Sequence, residues 1–156
     1  MDGVHIRRAK SDDADAASTI MVDARHASAP AIPPSVHSDD ETRVWFRQVV
    51  LAQCDVWVAD EAGHIRGVMV LSAGWIEQLY LAPGWTGRGI GARLVRHAQD
   101  LAVGPLELWT FASNLGAARF YERHGFVQVD RTDGDNEEGE PDIRYRWTPP
   151  LEGRDS

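Results

Sequence analysis

Cysteine is almost absent from this sequence. Cys54 stands alone, which excludes a disulfide within the chain and a metal site built on thiolates, and suits a reducing compartment, so a cytoplasmic setting is expected. It precedes an apolar, strand-like run and reads as a small filler rather than a nucleophile. Long apolar runs are missing too: nothing approaches the roughly 20 residues needed to cross a bilayer. The opening residues are polar and charged, without the apolar segment of an export signal, so nothing marks the chain for export. Basic residues are outnumbered, 16 Lys and Arg against 24 Asp and Glu, for a formal net charge of −8. That balance disfavours a general nucleic-acid or anionic-membrane surface and favours cationic partners. None of the 6 histidines stands at zinc-ligand spacing from another His or a Cys, so no metal is expected. What remains, with 43% hydrophobic and 26% charged residues in 156, is one domain's worth of globular chain. A single domain over 1–148 and a frayed tail over 149–156 are expected.

What is present in force is glycine, in one place. The stretch Trp75 to His97 (WIEQLYLAPGWTGRGIGARLVRH) reads as an apolar strand, a Pro83-Gly84 turn, glycines at 87, 89 and 91, and then an amphipathic helix with Ile90, Leu94, Ala98 and Leu101 on one side. Glycines so placed let the main chain curl with its N–H groups pointing inward, and the helix that begins there adds unpaired amides and the positive end of its dipole. Arg88 supplies a full charge. A helix start with no ligand would use the same residues, so the motif has to be separated from its rivals. A triphosphate loop needs Gly-Lys-Ser/Thr, and no Lys follows these glycines. The dinucleotide pattern G-x-G-x-x-G/A is satisfied by Gly87 to Ala92, with Glu107 nearly at the distance of the acidic residue. Its context argues against it: Ala82 to Thr86, with a proline, separate strand from glycines, and Glu107 falls inside a strand pattern.

The run Leu79-Tyr80-Leu81-Ala82-Pro83 followed by Thr86-Gly87-Arg88-Gly89-Ile90-Gly91 resembles the acetyl-CoA signature of the GCN5-related N-acetyltransferases (GNAT), Q/R-x-x-G-x-G/A. Asn114 to Phe126 (NLGAARFYERHGF) resembles the same family's second signature. Together, at this spacing and behind a strand ending in Ala-Pro, the two blocks are specific. One departure is Thr86, where the family has Gln or Arg, which leaves that contact weakened or passed to Arg88. The resemblance implies the family's mixed α/β fold, with about seven strands and four helices, and acetyl-CoA as co-substrate. It implies direct transfer of an acetyl group to a primary amine, either a small molecule or a peptide, and allows a homodimer. A non-catalytic module that only binds or senses coenzyme A on the same fold is the alternative.

Taken in order, Val4 to Ala9 reads as a strand, Ser11-Asp12-Asp13 as a helix cap, Ala29 to Pro34 as a break, and Ser38 to Glu41 as the cap of a second helix with Val44, Trp45, Gln48, Val49 and Leu51 on its apolar side. Asp55–Asp60 and Ile65–Ser72 read as a hairpin, Leu106–Phe111, Phe126–Asp130 and Ile143–Trp147 as further strands. Period two puts Trp75, Glu77, Leu79 and Leu81 on one side of the glycine-motif strand, with Ile76, Gln78 and Tyr80 on the other.

By the resemblance, main-chain groups near Leu79, Tyr80 and Leu81 pair with the pantetheine arm, and those from Thr86 through Gly87, Arg88, Gly89, Ile90 and Gly91 to Ala92 hold the diphosphate. Asn114 and Ala117 touch the arm, and Tyr121, seven residues after Asn114 on the same helix side, protonates the leaving thiolate. Glu77 is the expected general base, because an amine arrives as ammonium and must lose a proton before attack. The Ala29–His37 loop is expected to influence which amine is accepted, with His37 as a possible contact. Trp109 is read as core or cleft wall and stands with His37, Glu137 and Glu138 among the substrate candidates. The acidic run Arg131 to Asp142 is either a solvated loop or a lure for an ammonium group through Glu137 and Glu138. His97 and His124 read as surface groups.

Overall fold

A computed structural model describes residues 3–29 and 31–150; Pro30, within the Ala29–His37 loop, and residues 151–156 of the expected tail lie outside the described residues. The elements run β1 (Val4–Arg8), a 3-10 turn (Ser11–Asp13), α1 (Ala14–Ala27), α2 (Asp39–Trp45), a π-helical turn (Phe46–Val50), α3 (Leu51–Gln53), β2 (Asp55–Glu61), β3 (His64–Ser72), β4 (Trp75–Leu81), α4 (Ile90–Leu101), β5 (Leu106–Phe111), α5 (Leu115–Arg123), β6 (Val127–Thr132) and β7 (Asp142–Trp147). Because α2, the π turn and α3 run on without a break, the described residues form four helical rods around one sheet of order β1-β2-β3-β4-β5-β7-β6. This is the mixed α/β architecture expected.

Antiparallel pairing runs through the sheet except between β4 and β5, which are parallel and register at a single pair, Trp75 with Glu107. Each face buries its own core. On one, Met69, Ile76, Leu106 and Leu108 pack with Ile90, Leu94, Val95 and Ala98 of α4 and with Tyr121 of α5. On the other, Val56, Val58, Val68 and Val70 pack with Ala17, Ile20 and Met21 of α1 and with Phe46 and Val50.

Four local readings are corrected. The strand that leads to the glycines does not alternate throughout: Val70 pairs with Gln78 but Leu71 pairs with Ile76, leaving Glu77 as an inserted bulge residue. Ile76 therefore joins Leu79 and Leu81 on the α4 side, and Tyr80 packs on the other; the grouping of Ile76 with Gln78 and Tyr80 fails because a bulge resets the period. In the second helix Ser38 and Glu41 form the expected capping box, but Val44, Trp45 and Val49 are exposed while Phe46 and Val50 are buried. The π turn, in which the Leu51 N–H reaches the Phe46 carbonyl, swings the buried stripe away from the 3.6-residue expectation. Ser11 does not cap α1; the Asp13 carboxylate accepts from the Lys10 N–H at 2.7 Å. Leu101, at the end of α4, is exposed rather than buried with Ile90, Leu94 and Ala98.

Candidate active site

The single contact between β4 and β5 creates the site. The Glu107 N–H donates to the Gly74 carbonyl at 2.9 Å, and beyond this point the two strands part. Between them opens a cleft of about 880 Å³, walled by Ile76 to Leu81 on one strand and by Leu108 to Phe111 on the other. Among the described residues β4 has no ladder partner on the β5 side past Trp75, so that edge is available to an extended ligand.

At the wide end the chain turns at Ala82-Pro83-Gly84-Trp85, with the Trp85 N–H on the Ala82 carbonyl (3.0 Å) and Gly84 at φ 85°, as a Pro-Gly type II turn requires. Gly87 and Gly89 have φ of 74° and 86°, and an added Cβ at either would meet nothing within 4 Å. Glycine is needed there for its left-handed backbone, and the space in front is open. Gly89 is the residue before α4 and offers no side-chain cap, so the first-turn amides depend on an outside acceptor. Gly91 serves packing instead: its Cβ would stand 3.3 Å from the Phe120 ring, where α4 and α5 approach. These features suit the diphosphate of coenzyme A. Thr86, Gly87, Gly89, Gly91 and Ala92 line the cleft, whereas Arg88 does not; its guanidinium lies 4.6 Å from the Trp85 ring centroid, over a ring that Arg66 also approaches at 4.1 Å. The Ile90 side chain is fully buried in the core.

Asn114 accepts from the Ala117 N–H at 3.3 Å and so caps α5, leaving its amide NH₂ free to donate. Tyr121, on the same helix, is buried against Phe120 and Phe126. Burial, and then the neighbouring Tyr80, push its hydroxyl pKa far above 10.0. Asn114, Ala117 and Tyr121 all line the cleft, as do Glu77 and Trp109. The Glu77 side chain is exposed on its bulge. The Cys54 thiol pKa is raised first by burial and then by the Glu77 charge.

A second cavity of about 480 Å³ adjoins the first, and Gln78 lines both. It gathers His37, Glu137 and Glu138 with Glu41, Trp45 and Arg25. The His37 ring donates to Glu137 (2.9 Å), and Arg25 stands 3.6 Å from Glu138 and donates to the Tyr80 hydroxyl at 3.4 Å. The Ser113 hydroxyl, donating to the Ala31 carbonyl at 2.7 Å, ties the connection after α1 to the start of α5. Of the sequence-derived substrate candidates, three thus meet in this cavity while Trp109 stands on the far wall of the cleft. Sequence reasoning missed Arg25, which a helical wheel of α1 places one turn beyond buried Met21. It also missed Arg96, four residues after Ala92 on α4. His97 and His124 are not simple surface groups: His97 stacks edge-on against Trp57 at 4.2 Å, and His124 lines the cleft.

Residues 21–126 match the model of the acetyltransferase (GNAT) family. The chain belongs to that family. Relatives include the peptidyl-lysine N-acetyltransferase YjaB of Salmonella typhimurium, 33% identical over 87 residues, 55% of this chain and 59% of that protein. This chain thus spans less than two thirds of that relative's length. The solved apo form of YjaB from Escherichia coli superposes with a TM-score of 0.72 at 27% identity, covering 92% of this chain and 97% of that one. A further solved structure, that of yncA from Salmonella typhimurium with its cofactor acetyl-CoA, superposes with a TM-score of 0.74 at 18% identity over 94% of each chain.

Proposed function

We propose that this protein transfers an acetyl group from acetyl-CoA directly to a primary amine that carries positive charge elsewhere in its structure. The observation that carries the reading is the junction of two cavities at Gln78: a glycine-lined cleft that ends at a helix N-terminus, and an adjoining cavity with three glutamates. The first suits a thioester cofactor with a diphosphate, and the second suits an ammonium-bearing acceptor.

Acetyl-CoA, when bound, supplies an activated carbonyl and a sulfur that can leave with the bonding electrons. The chain's part is to hold, orient and move protons. Main-chain amides near Leu79 and Leu81 orient the arm and polarise the carbonyl. Glu77 takes the proton from the amine, directly or through water, and its exposure gives that proton a way out to solvent. Tyr121, held protonated by its buried setting, gives a proton to the departing sulfur. Trp45 and the carboxylates of Glu41, Glu137 and Glu138 receive the cationic body of the acceptor. The acceptor is a small amine or a peptide amine, and the name of the YjaB relative makes lysine peptides the first to try.

Release of free thiol from acetyl-CoA, measured over a panel of diamines, polyamines, amino acids and lysine peptides, tests the reading. Turnover with cationic amines and little with anionic ones is the expected result. Coenzyme A binding with no turnover on any amine would favour the non-catalytic alternative. In Glu137→Gln/Glu138→Gln protein the KM for a cationic amine rises; an unchanged KM would remove these two residues from acceptor recognition.

A further inference from the structure

The cofactor cleft has residues for which the chemistry above finds no use. It is lined by Arg96 of α4 and by Phe120, Arg123 and His124 around the end of α5. Arg96 follows Ala92 by one helical turn, about 6 Å along the axis, and side chains on a helix lean toward its N-terminus, here toward the glycine loop. Arg123 comes one turn after Phe120, whose ring centroid is 4.7 Å from that of His124. The His124 pKa is held below 6.5 by burial first and then by the charges of Arg96 and Arg123, and all three side chains line the same cleft. Among the described residues neither arginine takes part in an ion pair, although Asp and Glu outnumber Lys and Arg by 24 to 16.

We propose that Arg96 and Arg123 form a seat for the 3′-phosphate of coenzyme A and so select the full cofactor over forms that lack this group. The inference rests on the cofactor reading above. A phosphate monoester carries about −1.5 to −2 charges near neutral pH, and a planar guanidinium meets two of its oxygens at once. Arg96, one turn beyond Ala92, and Arg123, one turn beyond the Phe120 ring that packs on Gly91, stand beside the loop that would hold the diphosphate. Arg88 does not fill this role, because it is stacked on Trp85.

Isothermal titration with coenzyme A and with 3′-dephospho-coenzyme A reads this directly, without turnover. Wild-type protein should bind coenzyme A about tenfold more tightly at low salt, with the ratio shrinking as ionic strength rises. In Arg96→Gln/Arg123→Gln protein the ratio should fall to near one while affinity for the dephospho form holds, which also shows that the variant is folded. Arg96→Lys, which keeps the charge and loses the fork, should keep part of the ratio, and it carries the comparison if the double variant does not fold. Equal affinity of the wild type for both compounds, or a ratio that survives these substitutions, would overturn the assignment and leave the acetyltransferase reading standing. Folded wild-type protein that bound neither compound would end both.

Discussion

A general base has to pass its proton on, and Glu77 stands where it can: the bulge lifts it out of the β4 pairing pattern, exposed at the cleft. If it removes the amine proton, Glu77→Gln lowers kcat/KM by roughly 10²-fold or more, and the loss shrinks at high pH, where free amine is already abundant. A pH profile with equal loss throughout would count against it. Tyr121→Phe gives the opposite signature. Burial and Tyr80 keep the hydroxyl protonated well past its ordinary 10.0, so the proton on offer does not change between pH 6 and 9. Its removal should cost roughly 10²-fold, at the lower end of the general-acid range because a thiolate is already a fair leaving group, and by the same factor across that interval. At this scale the two signature blocks bring Asn114 and Tyr121, and the strand before the glycines brings Glu77, to the cleft that all three line. Motif spacing does not say where a long side chain ends, however: the Arg88 guanidinium lies over the Trp85 ring and outside the cleft lining, and Arg96 and Arg25 belong to no motif.

Elements were legible where local chemistry decides them. Ser38 with Glu41, Pro83-Gly84 and Gly125 mark their boundaries through hydrogen bonds and φ angles that only those residues supply. The π turn at Phe46–Val50 and the bulge at Glu77 were not legible, since both are one-residue insertions settled by pairing with distant strands and helices. The β2–β3 hairpin shows a residue that works against its element. Its two-residue turn, Ala62-Gly63, puts Ala62 at φ 52°, a left-handed conformation that costs an alanine roughly 1–2 kcal/mol and that asparagine tolerates far better. Ala62 is exposed and stands well apart from both cavities. Ala62→Asn should therefore stabilise by about 0.5–1 kcal/mol, which for a chain of this size raises Tm by roughly 1–4 °C, with thiol-release kinetics unchanged. A lower Tm would mean that this turn does not control hairpin stability.

Across the whole molecule, a sheet that touches itself at only one pair between β4 and β5 must be stiffened elsewhere, and the β1–β4 half has a charged clasp for this. The Arg7 guanidinium reaches Asp13 at the entry to α1 (2.8 Å) and Asp60 on β2 (2.9 Å), with the carboxylates only 12% and 11% exposed. The hydrogen bonds from Arg7 hold both carboxyl pKa values below the ordinary 3.8. A carboxylate depressed in the folded state binds fewer protons there than when unfolded, so its stabilisation is complete above pH 3.8 and is lost as pH falls through the folded values. General charge repulsion runs the other way over most of the range: from −8 near neutrality the net charge shrinks toward zero at about pH 5.1, which relieves self-repulsion. Denaturant titrations should therefore show stability holding or rising from pH 7 to 5 and falling steeply below pH 4. Asp13→Asn and Asp60→Asn proteins should each be weaker at pH 7 by about 1.5–3 kcal/mol, as for a hydrogen bond to a charged group, and should lose part of the acid slope. A slope identical to wild type in both would show that the clasp does not govern acid unfolding.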